Sequence, residues 1–441
     1  MKTVTLREYI YPKPLMNDMR DIHVSLFDLA MSLSEAIDLV SPDVANHHAQ
    51  VAYMAYHIGA QLDLSPEQKN DLMLAGMLHD VGALSLRERV SILQFEESER
   101  FYQHAELSYL LLRIFQPLLG AATLIRFHHL PWNNGGGSSF KGLPVPIGSH
   151  ILHLADRVYP LIDKQKEILG QRRAICEKIK ESSGSIFMPE LVDVFCGLSA
   201  EESFWFDTVS LSLRALLANR AQSNVINLSM DKILRLANVF SKIIDFRSPF
   251  TATHSDRVAA TAKALARFAG FSERECLMME IAGYLHDLGK LSVPAEILEK
   301  PAGLAYEESN VIRKHTYHTY RIIDRIGVLG SINEWASYHH ETLDGTGYPF
   351  KLKGNELSMG SRIMAVTDVF SAVTEDRPYR KGMPGDDAFN TLQLMSKNGK
   401  LDSRIISLLM QHHDEIRSLC AVSQQASKEY YEQCFPGIPA R

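Results

Sequence analysis

The sequence predicts an all-α protein built as two tandem helical bundles. Three observations predict it. Apolar residues recur at helical spacing along most of the chain, alternating runs of strand type are scarce, and one spaced set of His and Asp residues occurs twice. In the C-terminal half the set is His254, His286-Asp287, His315, His339-His340 and Asp368, with steps of 32, 29, 24 and 29 residues. In the N-terminal half it is His47, His79-Asp80, His104, His128-His129 and Asp156, with steps of 32, 25, 24 and 28. A chain of 441 residues exceeds a single core. The offset of roughly 210 residues between the copies agrees with two domains, expected over 1–224 and 225–441.

The elements follow in order. The opening MKTVTLREYIYPKP has no apolar core of signal-peptide type. Val51, Met54, Ala55, Ile58 and Leu62 form one stripe, so a helix is expected from Val51 to Leu62. Ser65-Pro66 followed by Glu67-Gln68 reads as a cap and first turn. The most apolar stretch, Leu107 to Ile125, is broken by Arg113 and Pro117 and falls short of the roughly 18 unbroken apolar residues of a membrane-spanning helix. From Pro160 to Asn224 come helices rich in Lys, Arg and Glu, a break at Ser182-Ser183-Gly184-Ser185, and an apolar helix near Leu211 to Leu217. This stretch is expected to complete the first bundle, with a boundary near Gln222 to Asn227. Ser229 to Phe246 reads as a helix leading into the second domain. Val258, Ala262, Leu265, Ala266 and Ala269 then repeat the first stripe, and Ser272-Glu273 repeats the helix start. The closing PGIPAR is expected to fray.

Composition narrows the function classes. Apolar residues make up 46% and charged residues 22%, ordinary for a globular protein. A net charge of -6 gives no global basic field, so DNA, RNA and anionic membranes are not expected partners. Cys176, Cys196, Cys276, Cys420 and Cys434 form no CxxC pair and read as reduced thiols of a cytoplasmic protein. Homodimerisation is left open.

The repeated set carries the chemistry. A His-Asp dipeptide offers a nitrogen and an oxygen donor at one point of the backbone, and a carboxylate can bridge two cations. Centres about 3.5–4 Å apart can activate water for attack on phosphorus. Several imidazoles with two carboxylates suit Fe or Mn best, then Co, Ni or Zn, over Mg or Ca, which favour oxygen shells.

THSDRVA (Thr253 to Ala259), HDLGK (His286 to Lys290) and HHETLDGTGYP (His339 to Pro349) resemble the HD-GYP subgroup of the HD phosphohydrolase superfamily. The resemblance covers roughly Leu228 to Cys420. It implies two HD-type bundles and hydrolysis of a 3′,3′-cyclic dinucleotide, cyclic di-GMP first and the mixed guanine–adenine ring (3′,3′-cGAMP) second, to a linear 5′-phosphorylated product. It further implies two divalent transition metals held by His254, His286, Asp287, His315, His339, His340 and Asp368, with Asp287 bridging. Lys290 would meet the phosphate and assist the leaving oxygen. Tyr348, Arg377 and Arg380 match positions that touch the nucleotide, and Asp344, Gly345 and Gly347 shape the loop. Family members with three metals carry a Glu four residues before the first His. Phe250 stands there, so two metals are expected. His318 is expected as a neighbour on the His315 face, and His412-His413-Asp414 as a solvated helix end.

The first copy keeps the ligands and loses their surroundings. The Lys of HDLGK becomes Ala83, and HHLPWNNGGGSSF replaces the GYP run. Buried ionisable groups are costly without partners, so retention of His47, His79, Asp80, His104, His128, His129 and Asp156 points to metal there too. A second phosphohydrolase activity of 5′-nucleotidase type and a regulatory or dimerisation module are the two readings of that half. For the whole protein, the alternatives are a catalytically silent cyclic-dinucleotide receptor and a general phosphomonoester hydrolase.

Overall fold

The computed structural model describes residues 22–39, 45–83, 99–221, 225–247, 251–300, 302–327, 329–376 and 381–436. Phe250, Arg377, Arg380, residues 222–224 of the expected boundary and the tail from residue 437 lie outside them. The chain divides into two compact units, one spanning Ser25–Val225 and the other Ile226–Arg441 with residues 22–24. Regular structure is almost entirely helical. The described strands are two short pairs: β1 (Ile22–Ser25) with β4 (Val225–Leu228), and the hairpin β2 (Ser139–Phe140) with β3 (Leu143–Pro144).

The N-terminal unit contains α1 (Leu26–Asp38), α2 (His47–Ala60), α3 (Pro66–Leu78), α4 (Glu99–Leu112), α5 (Leu119–Arg126), α6 (Ile147–Val158), α7 (Arg172–Glu181), α8 (Pro189–Leu198), α9 (Glu202–Thr208) and α10 (Leu213–Arg220). The C-terminal unit contains α11 (Met230–Asp245), α12 (His254–Phe268), α13 (Glu273–Leu285), α14 (Ala295–Leu298), α15 (Tyr306–Asp324), α16 (Gly330–Ser337), α17 (Met359–Thr374), α18 (Gly385–Lys397), α19 (Ser403–Gln411) and α20 (His413–Cys434). The expected apolar stripes are the packed faces over most of their length: Val51, Met54, Ala55 and Ile58 on α2 and Val258, Ala262, Leu265 and Ala266 on α12 are buried, whereas Leu62, expected in the first helix, lies half-buried beyond its end at Ala60. The break in the Leu107 to Ile125 stretch falls between α4 and α5, and the Ser182 to Ser185 break lies between α7 and α8.

The two units are built around the same helix pair. α3 and α13 both open on a capping box, Ser65 with Gln68 and Ser272 with Glu275, which satisfies two backbone donors reciprocally. Each then crosses its partner helix at a glycine. A Cβ on Gly76 would stand 2.4 Å from the Ala52 Cα, and one on Gly283 would stand 2.5 Å from the Ala259 Cα. Only a bare backbone permits that approach. The turn after each helix is pinned by one hydroxyl. Ser108 Oγ accepts from Gly82 N (2.9 Å) and donates to His79 O (2.8 Å). Thr319 Oγ1 accepts from Gly289 N (2.9 Å) and donates to His286 O (3.0 Å). Both His-Asp dipeptides are thereby fixed at the end of a buried helix.

Further contacts seat α12. Asp245 accepts from Ser255 N and Ser255 Oγ, each at 3.0 Å, and holds the turn that presents His254. Buried Lys242 of α11 bonds Asp256 of α12 and Ser427 of α20. Two further local expectations change. Leu211 is 99% exposed, because it precedes α10 and only Leu213 and Leu217 of that segment turn inward. His412 and His413 are half-buried rather than solvated: His412 stacks on Phe268 with ring centres 3.7 Å apart, and His413 packs edge-on to Phe389.

Candidate metal centres

Five helices of the C-terminal unit converge on one point. α12 begins with His254, α13 ends into His286-Asp287, α15 carries His315 mid-length, the turn after α16 carries His339-His340, and α17 carries Asp368. Asp287 faces both ways. Its Oδ2 lies 3.2 Å from His286 Nε2 and 3.7 Å from His254 Nε2, and its Oδ1 lies 3.4 Å from His315 Nε2. Asp368 Oδ1 lies 3.7 Å from His254 Nε2 and 3.8 Å from His286 Nε2, while its Oδ2 lies 3.8 Å from His340 Nδ1. Two donor groups result, His254 with His286 and Asp287, and His315 with His339 and His340, and each could hold a metal ion.

Hydrogen bonds on the outer side fix the tautomers. The Nδ1–H groups of His286, His315 and His339 donate to the carbonyls of Gly283 (2.7 Å), Ile312 (2.6 Å) and Ala336 (2.6 Å). His254 Nδ1 donates to Glu375 Oε2 at 2.8 Å. Each Nε2 is left to point inward, the second-shell arrangement of metal-bound imidazoles. The fit to a cation is sharpest between His315 and His339. Their Nε2 atoms are 3.2 Å apart, and with Nδ1 protonated both present lone pairs to each other. Burial pushes both rings down to about 3, so neither takes a second proton at neutral pH. A cation bound between them would relieve that opposition. Burial works against charge on His286 as well, but the Asp287 and Asp368 carboxylates prevail and raise it to about 9. Asp287 is held well below the usual carboxylate range: burial opposes this, and the His286 and Lys290 charges outweigh it.

The residues expected to meet substrate are partly placed. Lys290 sits on a 3-10 turn (Leu288–Ser292) with Nζ 2.5 Å from Asp287 Oδ2. The Tyr348 ring lies 4.9 Å from the His340 ring, so its loop borders the centre. That loop is held by buried Glu341, whose carboxylate accepts from Phe350 N (2.6 Å), Lys351 N (3.1 Å) and Leu352 N (3.1 Å). Asp344 closes the turn by accepting from Thr346 N at 3.0 Å, and Gly345 takes φ 76°. The Arg313 guanidinium lies over the Tyr348 ring at 4.3 Å. Sequence reasoning missed Glu375, Glu341 and Arg313. Glu341 lies inside the quoted HHETLDGTGYP run, so its loop-holding role had a local signal. Glu375 had none, because its partner lies 121 residues away.

The N-terminal unit also gathers its seven residues at one place, with a different close pair of rings. Asp80 Oδ1 lies 3.2 Å from His104 Nε2, and Asp80 Oδ2 lies 3.5 Å from His79 Nε2 and 3.6 Å from His47 Nε2. Asp156 Oδ1 lies 3.4 Å from His79 Nε2 and 3.5 Å from His47 Nε2. His129 Nε2 and His104 Nε2 are 3.0 Å apart. His79 and His128 donate from Nδ1 to Gly76 O (2.9 Å) and Ile125 O (2.7 Å), as their C-terminal counterparts do. His128 Nε2 is buried without a hydrogen-bond partner, a position that fits a metal ligand. Three donor groups here could hold a cation: His47 with His79 and Asp80, His79 with His128 and Asp156, and His104 with His128 and His129. Ala83 is fully buried where Lys290 stands in the other unit. The run after His129 forms a 3-10 segment (Asn133–Ser138) and the β2–β3 hairpin in place of the tyrosine-bearing loop.

Comparison with known proteins adds to this geometry. Models of the HD domain match residues 44–161 and 238–405. The 3'3'-cGAMP-specific phosphodiesterase 1 of Vibrio cholerae is 29% identical over 405 residues, 90% of this chain and 94% of that protein. The 3'3'-cGAMP-specific phosphodiesterase 3 of the same organism is 29% identical over 426 residues, 85% of this chain and 91% of that protein. A cyclic di-GMP phosphodiesterase of Thermotoga maritima is 32% identical over 196 residues, 44% of this chain and 53% of that protein. The crystal structure of a cyclic GMP-AMP specific phosphodiesterase of V. cholerae, V-cGAP3, matches with a TM-score of 0.62 at 25% identity, over 89% of this chain and 98% of that one.

Proposed function

We propose that this chain, which belongs to the HD-domain family and carries one HD domain in each half, is a metal-dependent phosphodiesterase that opens a 3′,3′-cyclic dinucleotide at its C-terminal centre. The observation that carries the reading is the two-lobed donor array spanned by Asp287, with inward Nε2 atoms that face one another across 3.2 Å. His254, His286, Asp287, His315, His339, His340 and Asp368 hold two divalent cations, iron or manganese by preference for this mixed donor set. When bound, the cations supply Lewis-acid activation of water and of the phosphoryl oxygens. The residues of the chain do the rest. Asp287 fixes the spacing of the two lobes, and Lys290 places a cation beside it to balance charge on the departing 3′ oxygen. Tyr348 bounds the nucleotide pocket, with Arg377 and Arg380 as phosphate forks. Water adds to phosphorus, the P–O3′ bond breaks, the 3′ oxygen takes a proton, and a linear dinucleotide with a 5′-phosphate leaves.

Two relatives that align over most of this chain are named for 3'3'-cGAMP, while the cyclic di-GMP phosphodiesterase of T. maritima aligns over less than half of it. The mixed ring therefore moves ahead of cyclic di-GMP as the preferred substrate. The test is turnover of the three 3′,3′ rings by one preparation of known metal content. Fastest opening of 3′,3′-cGAMP supports the assignment. Equal or faster opening of cyclic di-GMP removes it, and persistence of all three rings favours a receptor. The N-terminal cluster is a second metal centre, and we read it as a second phosphohydrolase site acting on a phosphomonoester such as the linear product. If His79→Ala with Asp80→Ala leaves phosphate release from that product unchanged, the second activity is wrong.

A further inference from the structure

We infer that Arg247 positions Lys290 for ring opening by clamping the backbone of the turn that carries it. The inference rests on the phosphodiesterase reading of the C-terminal centre. Arg247 follows the end of α11 and is buried. Its guanidinium donates from Nη1 to Lys290 O at 2.7 Å and from Nη2 to Val293 O at 3.0 Å. The fork therefore spans the exit of the 3-10 turn Leu288–Ser292. Lys290 O also accepts from Val293 N at 3.0 Å, so the guanidinium takes a further lone pair of that carbonyl.

The two units differ in a way that ties the clamp to the lysine. Asp38 and Asp245 each stand nine residues before the first His of their set, and each bonds the residue that follows this His, His48 and Ser255. Two residues past that carboxylate the C-terminal sequence has Arg247 and the N-terminal sequence has Val40. Four residues past the His of the dipeptide the same halves have Lys290 and Ala83. The hydroxyl pin is common to both, Ser108 on Gly82 and Thr319 on Gly289. The pin belongs to the His-Asp turn as such, whereas the guanidinium accompanies the lysine.

A lysine needs such a holder. Its ammonium rides on a flexible four-carbon stem, so its aim depends on where the backbone is fixed. Lys290 Nζ lies 2.5 Å from Asp287 Oδ2, with the side chain 22% exposed. The Lys290 backbone is tied at both ends: its N donates to Asp287 O at 2.8 Å, and its O accepts from Arg247. These Arg247 donors go to backbone and not to substrate, which makes Arg247 a positioning residue. A misplacement of about 1 Å at a group that meets the reacting phosphate can lower turnover by about 100-fold. The expected signature is a fall in kcat with KM kept.

The test is a double-mutant cycle in the full-length protein, with metal content measured on every sample. The substrate is whichever of the three 3′,3′ rings the parent opens fastest. Lys290→Ala should lower kcat by about 100-fold or more. Arg247→Met should lower it by about tenfold or more, with KM and metal content kept. Arg247→Lys, which can reach one carbonyl but has no fork, should restore part of that loss. In the Lys290→Ala background, Arg247→Met should cost less than about twofold more, because the clamped group is gone. Equal losses from Arg247→Met in both backgrounds, an unchanged kcat, or loss of metal from Arg247→Met and Arg247→Lys alike overturn the clamp. An unchanged kcat in Lys290→Ala overturns it while ring opening at this centre stands. If Arg247→Met does not fold, the cycle is run with Arg247→Lys and the same outcomes decide. A fully metal-loaded parent that opens no ring defeats the phosphodiesterase reading, and the clamp falls with it.

Discussion

His254 depends on a carboxylate that no local motif announces. Glu375 accepts its Nδ1–H at 2.8 Å and aims Nε2 at Asp287 and Asp368. Outer-shell partners of this kind set ligand orientation and basicity. Glu375→Ala is expected to weaken metal binding at the His254 lobe by about 10- to 100-fold while the fold persists. Metal titration alongside thermal melting checks this, and unchanged affinity contradicts it. A second expectation concerns protons. Burial disfavours a charged His286, yet Asp287 and Asp368 hold its pKa at about 9, so the cation-free ring is protonated at pH 7. A ligand must be neutral, so loading at pH 7 expels about one proton from this ring, and affinity rises as pH climbs toward 9. Calorimetry in two buffers of different ionisation enthalpy reads the proton count, and a count of zero contradicts the assignment. The candidate ligands were legible in the sequence because the same types recur twice at similar steps. Glu375 and Arg313 were not: each is a single acidic or basic letter whose meaning comes from a side chain packed against it.

At the scale of elements, the helix pair α12–α13 decides where the dipeptide sits. Gly283 brings the backbones together, and a methyl group there would meet the Ala259 Cα at 2.5 Å. Gly283→Ala should cost about 1–3 kcal/mol, the usual range for overpacking, and should reduce metal retention because His286 ends that helix. A melting temperature equal to the parent's would show that α12 and α13 can separate freely. Helices, stripes and both serine caps were legible because amphipathic spacing and capping boxes are local. The close approach at Gly76 and Gly283 was not, since a glycine within a helix carries no sign of what crosses it. The expected apolar helix from Leu211 was misplaced for a related reason. Hydrophobicity marked Leu211, but packing begins two residues later at Leu213. The Arg377–Arg380 segment expected to touch nucleotide lies outside the described residues.

Taken whole, the molecule holds two candidate centres on one plan with different furniture: a lysine and a tyrosine loop around the C-terminal set, an arginine bonded to Asp156 and a hairpin by the N-terminal set. That division predicts separable functions. His79→Ala with Asp80→Ala should leave ring opening within about twofold of the parent, as expected for sites that share no ligands. Ring opening lost together with the N-terminal metal would join the two centres into one. One comparison tests ring opening at the C-terminal centre most directly. Parent protein and Asp287→Ala, each of measured metal content, are incubated with 3′,3′-cGAMP, and the linear 5′-phosphorylated dinucleotide is quantified by chromatography. The parent should produce it and Asp287→Ala should produce none. Equal product from both, or an intact ring with the fully metal-loaded parent, would contradict the central claim.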